Sequence, residues 1–210
     1  MKRISFLFAL VIVTIFSATN SSAQVKLEEI IKPGSRLIYQ VTSGRGNYDF
    51  VITVKDLKGS SFEWEMGSPM DTKGTIIHTD KALQSAYKMY NYFQSETKKL
   101  DDQMLSVWLS QKMFKDLTKA AEGVKVCMYD PLDEPKLMKY FMDGEFSVKI
   151  DGKGTKIVDK VVRPAKKSGT KWIIDPSNDD SFSYYNSASF PVILRMHTNF
   201  TIALKEIKTK

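Results

Sequence analysis

The stretch Tyr48–Lys55 reads YDFVITVK and places a large apolar residue at every second position. The residues on this apolar side are Tyr48, Phe50, Ile52 and Val54. Because successive side chains of a β-strand point to opposite faces of the sheet, a period of two indicates a strand with one buried face. The stretch therefore predicts a strand, and its neighbours decide which kind of sheet it joins.

The same alternation recurs on both sides of this strand. Its further members are Leu37, Tyr39 and Val41 before the strand, and Phe62, Trp64 and Met66 after it. The connections are GRGN at 44–47 and LKGS at 57–60, and their Gly and Asn residues tolerate the positive φ angles of tight turns. This spacing predicts a meander of antiparallel strands.

The second half of the chain continues the pattern. LMKYFM and EFSVKI flank Asp143 and Gly144, and an Asp-Gly pair suits a two-residue turn, so a hairpin is predicted there. Four further strands are predicted: TKIVDKVV at 155–162, TKWIID at 170–175, FPVILRMH at 190–197 and FTIALKEI at 200–207. The polar stretches 164–170 and 176–181 are predicted to connect them.

Two segments instead space their apolar residues three to four positions apart, which is typical of a helix. In the first, Thr79 or Asp80 is placed to cap the first turn. Its apolar side consists of Leu83, Ala86, Tyr87, Tyr90 and Phe93. The second is predicted to begin at Ser110 and to end near Gly123 in a left-handed conformation. Its apolar side consists of Met113, Phe114, Leu117, Ala120 and Ala121.

Both predicted helices are only about three turns long, so each needs to lay its apolar side on the sheet to be stable. The pattern thus predicts an α+β, mainly β fold: a strongly curved antiparallel sheet with two short helices packed on its concave side. No Pro-rich, Gly-rich or Ser-rich linker divides residues 24–210, which are predicted to form a single globular domain.

Residues 1–23 have the three regions of a secretory signal peptide. Lys2 and Arg3 are followed by the apolar run Ile4–Phe16 and by a small, polar stretch that ends at Ala23. This run is shorter than the roughly 20 apolar residues of a membrane span, and no later segment approaches that length. The sequence therefore predicts a cleaved signal peptide and an exported protein, periplasmic or extracellular, without a transmembrane segment after cleavage. A retained N-terminal membrane anchor is the alternative.

Charge and cysteine content narrow the possible partners. The formal net charge of +7 is scattered along the chain, so anionic lipids or glycans are more compatible partners than nucleic acid. Cys127 is the single cysteine, so an intramolecular disulfide is impossible. In GVKVCMYD it alternates like a strand residue, and we expect a buried, inert thiol; a reactive or intermolecular thiol is the alternative.

Residue types that carry catalysis or bind metals lack the spacing that their chemistry needs. His78 and His197 are the available imidazole bases, and both are interpreted as solvated residues rather than members of a triad. With one cysteine they do not make a zinc site. The acidic stretch 175–180, DPSNDD, lacks the spacing of a calcium loop and is predicted to be a solvated turn. The sequence predicts no catalytic residue, metal site or cofactor.

One group of residues favours ligand binding: Trp64, Met66, Tyr87, Tyr90 and Phe93. On the predicted strand and first helix they point into the space between sheet and helix. Flexible methionines beside aromatic rings suit an adaptable apolar pocket. The alternative is a closed core in which the same residues pack against one another. These five are the candidate ligand-binding residues.

Three stretches carry a resemblance: PGSRLIYQV at 33–41, SFEWEMGSP at 61–69 with YNYF at 90–93, and FPVILRMHTNFTIALKEI at 190–207. Together they resemble small exported bacterial proteins of uncharacterised function, over most of the mature chain. The resemblance implies an architecture broadly like that of the periplasmic lipoprotein carriers, a half-open curved antiparallel sheet with helices over its concave side. It transfers no active residues, and a shared fold does not fix a function.

Three functions are compatible with these patterns. The leading hypothesis is a non-enzymatic envelope protein that binds a lipid or another apolar ligand between sheet and helices. The alternative is an envelope interaction or scaffold module, whose candidate surface is SFSYYNS at 181–187 with Tyr184 and Tyr185, because exposed tyrosines favour interfaces. The third is an envelope hydrolase with residues assembled from distant strands. The oligomeric state is left open.

Overall fold

The computed structural model of the protein describes residues 25–119, 122–128 and 134–210. The predicted signal peptide, residues 1–23, lies outside the described residues. Strands make up 53% of the structure and helices 11%, so the prediction of a mainly β fold is confirmed. The strands follow the segments of alternating sequence, because a sheet with one buried face needs apolar side chains at every second position.

The helices of the described residues are short: α1 (Leu27–Ile30), α2 (Asp80–Ser85) and α3 (Gln111–Lys119). The strands of the first half are β1 (Arg36–Ser43), β2 (Gly46–Val54), β3 (Ser61–Met66), β4 (Thr72–Ile77), β5 (Lys88–Met89), β6 (Thr97–Lys99) and β7 (Met104–Leu105). The later strands are β8 (Val124–Val126), β9 (Lys136–Ile150), β10 (Lys153–Ser168), β11 (Lys171–Ile174), β12 (Ser181–Tyr185), β13 (Ile193–His197) and β14 (Thr201–Lys208).

One large sheet contains, in spatial order, β6, β4, β3, β2, β1, β14, β13, β12, β10, β9 and β8, and β11 pairs with β10 beside this path. Its strands pair antiparallel except β4 with β6 and β14 with β9, which pair in parallel. The sheet is therefore mixed, and the prediction of an antiparallel sheet is corrected at these two places. Each parallel pairing is short and fills a stretch of strand edge that the antiparallel neighbours leave unpaired.

The pairing of β14 with β9 closes part of the sheet on itself. Glu206 and Ile207 of β14 lie beside Lys149 and Ile150 of β9. Because β14 also reaches β9 through β13, β12 and β10, these five strands form a closed hydrogen-bonded path. β1 pairs along the other edge of β14, and β2, β3 and β4 continue outward from it.

The predicted strands of the first half are confirmed. β1, β2 and β3 pair antiparallel, with Ile52 opposite Trp64 and Phe50 opposite Tyr39. The GRGN and LKGS connections form the turns between them. Gly59 has a φ of 73° in the second of these turns, a left-handed backbone that glycine adopts without a steric penalty from a Cβ atom.

The predicted hairpin turn at Asp143 and Gly144 is wrong. β9 runs through both residues, and Gly144 pairs with Asp159 of β10. A Cβ atom on Gly144 would collide with Oδ1 of Asp159, so the glycine permits a close contact between strands. The turn lies instead at Asp151 and Gly152, where φ is 47° and 81°. Both Asp-Gly pairs carry the same local signal, and the pairing of the long strands selects the second.

The first predicted helix is confirmed only at its beginning. The N–H of Ala82 donates to Oγ1 of Thr79 at 3.0 Å, which is the predicted N-cap. The helix ends at Ser85, since Ala86 has an extended backbone with a ψ of 147°. The prediction of a longer helix is wrong for the aromatic residues of its later turns: Tyr87, Tyr90 and Phe93.

The chain is extended after α2 because its backbone binds partners that are distant in sequence. The N–H of Met89 donates to the carbonyl of Cys127 at 2.8 Å, and the N–H of Tyr90 donates to the carbonyl of Leu105 at 2.7 Å. Apolar spacing by three and four residues is compatible with a short helix followed by an extended segment. Periodicity alone does not separate the two cases.

The second predicted helix begins as expected. Oγ of Ser110 accepts a hydrogen bond from the N–H of Met113 at 2.9 Å, and Met113 is buried. Residues 120 and 121 lie outside the described residues. The predicted left-handed helix end at Gly123 is wrong, because its φ is not positive. A Cβ atom there would lie 2.9 Å from the side chain of Leu137, so close packing against β9 accounts for the glycine.

The stretch 181–187 also differs from its prediction. β12 occupies most of it and lies inside the sheet between β10 and β13. Tyr184 is 0% exposed and Tyr185 is 4% exposed, so the predicted interaction surface of exposed tyrosines is wrong. The predicted connection at 164–170 is likewise largely strand, since β10 continues to Ser168. In both stretches sheet pairing prevails over a polar local sequence.

The apolar core comprises two main clusters. One joins β1 to β4 with β13 and β14 and contains Trp64 and Trp108. The other joins α3 with β8, β9 and β12 and contains Met113 and Tyr184. Within the described residues, no helix has the length and apolar character that crossing a membrane requires.

Candidate ligand-binding hollow

A hollow of about 430 Å³ lies between the sheet and the extended segment at 91–93. β1, β2, β3, β13 and β14 all contribute to its lining. Large apolar side chains that border it include Val41, Met66, Phe93, Ile193, Met196 and Ile202. Its size falls in the range of roughly 300–1,000 Å³ that is usual for small-molecule sites.

Two of the five candidate ligand-binding residues line this hollow, and two more pack against one of them. Met66 and Phe93 line it directly. Trp64 and Tyr90 contact Phe93, and their ring centroids lie 5.2 Å and 6.3 Å from that of Phe93. The ring of Phe50, on β2, lies 4.6 Å from Phe93 and also borders the space. Phe93 is therefore the centre of an aromatic group on one side of the hollow.

Tyr87, the fifth candidate, lies elsewhere. It borders a separate cleft together with Asp101 and Asp102. Its hydroxyl donates a hydrogen bond to Asp116, and Nζ of Lys112 lies 5.4 Å from its ring centroid. Burial raises the pKa of Tyr87, and the neighbouring Asp116 carboxylate raises it further. Tyr87 thus belongs to a polar contact with α3 and does not border the hollow.

Trp64 forms part of the core beneath the hollow. It is 2% exposed and lies opposite Gly74 of β4. A Cβ atom on Gly74 would lie 2.8 Å from the indole ring, so the glycine leaves the space that the ring occupies. The ring is fixed between β4 and Phe93, which makes it a support for Phe93 rather than a surface for a ligand.

The segment that carries Phe93 is anchored at its start. In addition to the Tyr90 backbone bond to Leu105, Nδ2 of Asn91 donates to the carbonyl of Met128 at 2.7 Å. Tyr92 follows at the rim of the hollow and is 47% exposed. Because the segment is anchored at Asn91 and exposed at Tyr92, its aromatic side chains lie between the core and solvent.

The tyrosines of the sheet that border the hollow stay neutral near pH 7. The Tyr39 hydroxyl donates to the carbonyl of Ile193 at 2.8 Å, and burial raises the pKa of Tyr39 strongly. Burial also raises the pKa of Tyr48, although the Arg45 guanidinium and a hydrogen bond with Ser43 oppose the rise. The polar groups of this wall are therefore uncharged hydroxyls.

Several lining residues were not among the sequence candidates. Tyr39, Val41 and Phe50 were predicted to lie on the apolar faces of their strands. That alternation is the sequence pattern from which their place at the hollow could have been found. Ile193 and Met196 come from more than a hundred positions later in the chain. Their place beside β1 follows from the pairing of β14 with both β1 and β13, and strand order is not encoded in local periodicity.

His78 is buried, and its interpretation as a solvated residue is wrong. It is 5% exposed, with Nδ1 2.5 Å from the carbonyl oxygen of Gly59 and Nε2 2.9 Å from the backbone nitrogen of Ser106. Burial lowers the pKa of His78, against smaller opposing effects of Gly59 and Asp56. The neutral ring satisfies both contacts, with Nδ1–H donating to the carbonyl and Nε2 accepting from the N–H. The ring thereby joins the turn at Gly59 to Ser106.

His197 is solvated, as expected. Its side chain is 41% exposed, with Nδ1 3.0 Å from Oγ1 of Thr201 and Nε2 3.4 Å from Oδ2 of Asp179. A hydroxyl, an imidazole and a carboxylate are therefore adjacent, but Asp179 is 89% exposed and none of the three residues borders the hollow. Water competes for each of these contacts, so the group lacks the enclosed geometry of a triad.

Cys127 and the acidic stretch at 175–180 do not border the hollow. Cys127 is buried, as predicted. In the acidic stretch at 175–180, Asp175 accepts hydrogen bonds from Ser177, and Asp180 forms an ion pair with Lys136. Across residues 25–119, 122–128 and 134–210, no group of three His, Cys, Asp or Glu side chains is arranged to hold a metal ion.

Comparison with protein-family models, with curated proteins and with solved structures gives no significant match to this chain. The resemblance to exported proteins of the lipoprotein-carrier architecture therefore stays a prediction.

Proposed function

We propose that this protein is a non-enzymatic exported protein that binds a lipid or another apolar ligand in the hollow beside Phe93. The hollow itself carries the proposal: about 430 Å³ of space bordered mainly by apolar side chains. The hollow is lined by aromatic rings and flexible apolar chains, which is the usual composition of a small-molecule pocket. A ligand that removed its apolar lining from water would gain about 25 cal/mol per Å².

The methionines of the lining support a ligand of variable shape. Met66, Met70 and Met196 all border the hollow. A methionine side chain is unbranched and polarisable, so it adjusts to irregular apolar surfaces at little cost. Beside the rings of Phe50 and Phe93 these side chains suit an acyl chain better than a rigid polar metabolite.

The proposal includes the architecture that the sequence predicts, a curved sheet with short helices over its concave side. Met113 and Leu117 of α3 support it, because they share one apolar cluster with Met138 of β9 and Tyr184 of β12. At the hollow itself the side opposite the sheet is formed by the extended segment at 91–93. Export is part of the same proposal and is supported by the signal-peptide pattern at 1–23.

The other two functions have less support. An interaction module was predicted from Tyr184 and Tyr185, and both are buried in the sheet. A hydrolase was predicted to need an imidazole in a cleft. His78 is engaged by backbone groups, and His197 is solvated away from the hollow. The apolar hollow is the feature that neither alternative explains.

The proposal is tested by titrating delipidated protein with a fluorescent fatty-acid analogue. We expect saturable binding to the wild-type protein. Met66→Trp places a bulky indole in the hollow and should weaken binding. Met142→Trp is the matched control, because Met142 is 59% exposed and does not border the hollow, and it should bind as the wild type does. Circular dichroism of each variant checks that the sheet is formed.

Absence of saturable binding to the delipidated wild-type protein would contradict the proposal. Equal binding by Met66→Trp and wild-type protein would contradict it too, because the ligand would then lie elsewhere.

A further inference from the structure

Arg45 contributes the one ionised side chain among the described residues that border the hollow. It lies at the tip of the β1–β2 hairpin, between Gly44 and Gly46. A Cβ atom added to either glycine would meet no atom within 4 Å, so the tip stands in open space. The side chain of Arg45 is therefore free to turn toward the mouth of the hollow.

No carboxylate of the described chain pairs with Arg45. The nearest acidic residue along the hairpin is Asp49, and both of its carboxylate oxygens lie 2.7 Å from Nζ of Lys205. Asp49 lies opposite Gln40, whereas Tyr48 lies opposite Val41, so the two side chains leave opposite faces of β2. The Asp49 carboxylate thus lies on the face away from the hollow and already forms an ion pair with Lys205.

The charge of Arg45 reaches the polar rim of the hollow. It acts on the Tyr48 hydroxyl, and it lowers the pKa of that group against the larger effect of burial. Ser43 and Asn199 also border the space and supply neutral polar groups. The rim thus combines one cationic side chain with neutral hydrogen-bonding groups, and the interior is apolar.

We propose that the hollow takes an amphiphile with one anionic head, a carboxylate or a phosphate, whose chain lies against Met66 and Phe93 and whose head pairs with Arg45. The inference rests on the proposed function and names its ligand class. A guanidinium presents parallel N–H donors that match two oxygens of a carboxylate or phosphate, so it selects an anionic head over a neutral one. An anionic head group would supply the partner that no carboxylate of the described chain provides for Arg45.

The test compares three ligands that share one chain: dodecanoate, dodecyl phosphate and uncharged dodecanol, measured by isothermal titration calorimetry. We expect the wild-type protein to bind both anions at least tenfold more tightly than the alcohol. Arg45→Gln should remove this difference and leave dodecanol binding unchanged. Arg36→Gln is the control for net charge, because Arg36 pairs with Glu65 outside the hollow, and it should keep the preference. Inorganic phosphate alone should not bind.

Equal binding of all three ligands, with Arg45→Gln unchanged, would overturn the anionic class and leave the apolar hollow intact. Failure of all three ligands to bind would overturn the proposed function together with this inference. Binding of inorganic phosphate as tight as that of dodecyl phosphate would also overturn the inference, since the head would then be recognised without a chain.

Discussion

Two aromatic groups begin on the same face of β3, and they differ in how completely they are closed. Phe62 stacks on Trp108 with ring centroids 5.4 Å apart. The ring of Phe190 also contacts Trp108, with a centroid distance of 6.0 Å. Trp64, two residues further along β3, contacts Phe93, which borders the hollow. The first group has no exposed member, whereas the second ends at open space.

Val107 and Trp108 connect the two regions. Val107 borders the hollow, and the next residue is the centre of the closed group. Val107 has a φ of 65°, which is uncommon for a β-branched residue, and the N–H of Ile193 donates to its carbonyl at 2.7 Å. The closed group is therefore expected to govern stability and the open group to govern ligand binding, so substitutions in the two regions should have different effects.

The largest expected effect is that of Trp108→Ala. Trp108 is 0% exposed, and truncation of a buried tryptophan costs about 3–5 kcal/mol, so we expect a loss of that size in the free energy of unfolding. Phe93→Ala is the matched substitution in the open group and should cost about 1 kcal/mol, because less of its surface is buried. Urea denaturation measures both. Equal losses would contradict the division into closed and open regions.

The next effect concerns Gly59, which lies against the closed group. Gly59→Ala should destabilise the protein by about 2–3 kcal/mol, because φ is 73° and the new Cβ would lie 2.6 Å from the Trp108 ring. Gly152→Ala is the control, since φ is also positive there but no atom lies within 4 Å, and it should cost about 1 kcal/mol. Thermal unfolding of both variants would show whether contact with Trp108 adds to backbone strain.

His78 packs on Phe62 at 5.8 Å and makes the closed region sensitive to pH. Its folded pKa is lowered below the ordinary value of 6.5, so the unfolded chain binds a proton first as pH falls. The contribution of His78 to the free energy of unfolding should therefore be fully present above about pH 6.5 and be lost as the pH falls below that value. His78→Gln should have a smaller slope of unfolding free energy against pH in this window.

The smallest effect on stability is expected at the open end of the second group. Tyr92 is 47% exposed at the rim, so Tyr92→Ala should change the free energy of unfolding by less than about 0.5 kcal/mol. It should nevertheless weaken binding of the fluorescent fatty-acid analogue, because it removes part of the apolar rim. Tyr92→Phe should restore binding. A large loss of stability would show that Tyr92 belongs to the closed core instead.

The sequence was most informative where local rules and the tertiary structure agree. The alternation around Phe50 and Trp64 predicted strands that exist. The predicted cap at Thr79 and the predicted helix start at Ser110 are both marked by hydrogen bonds. Met66 and Phe93 were predicted to face one space, and both border the hollow. For the strands and the caps, neighbours in the chain supply the physical cause. Phe93 instead reaches the hollow on an extended segment that Leu105 and Cys127 hold, and not on the predicted helix.

The errors arose where partners come from far along the chain. The helix predicted to reach Phe93 ends at Ser85, because Leu105 and Cys127 bind the backbone that follows it. Tyr185 looked exposed in a polar stretch, yet its hydroxyl accepts from the N–H of Leu27 and donates to Glu28. No local pattern contains such partners.

By itself, then, the sequence determined which segments alternate, where two helices start and which apolar side chains share a face. Only the tertiary structure decided which Asp-Gly pair turns the chain, how β14 joins the two halves, and that Arg45 stands at the mouth of the hollow. The physical reason is that periodicity and capping depend on neighbours within a few residues. Strand order and enclosed space depend on hydrogen bonds and packing between segments more than a hundred residues apart.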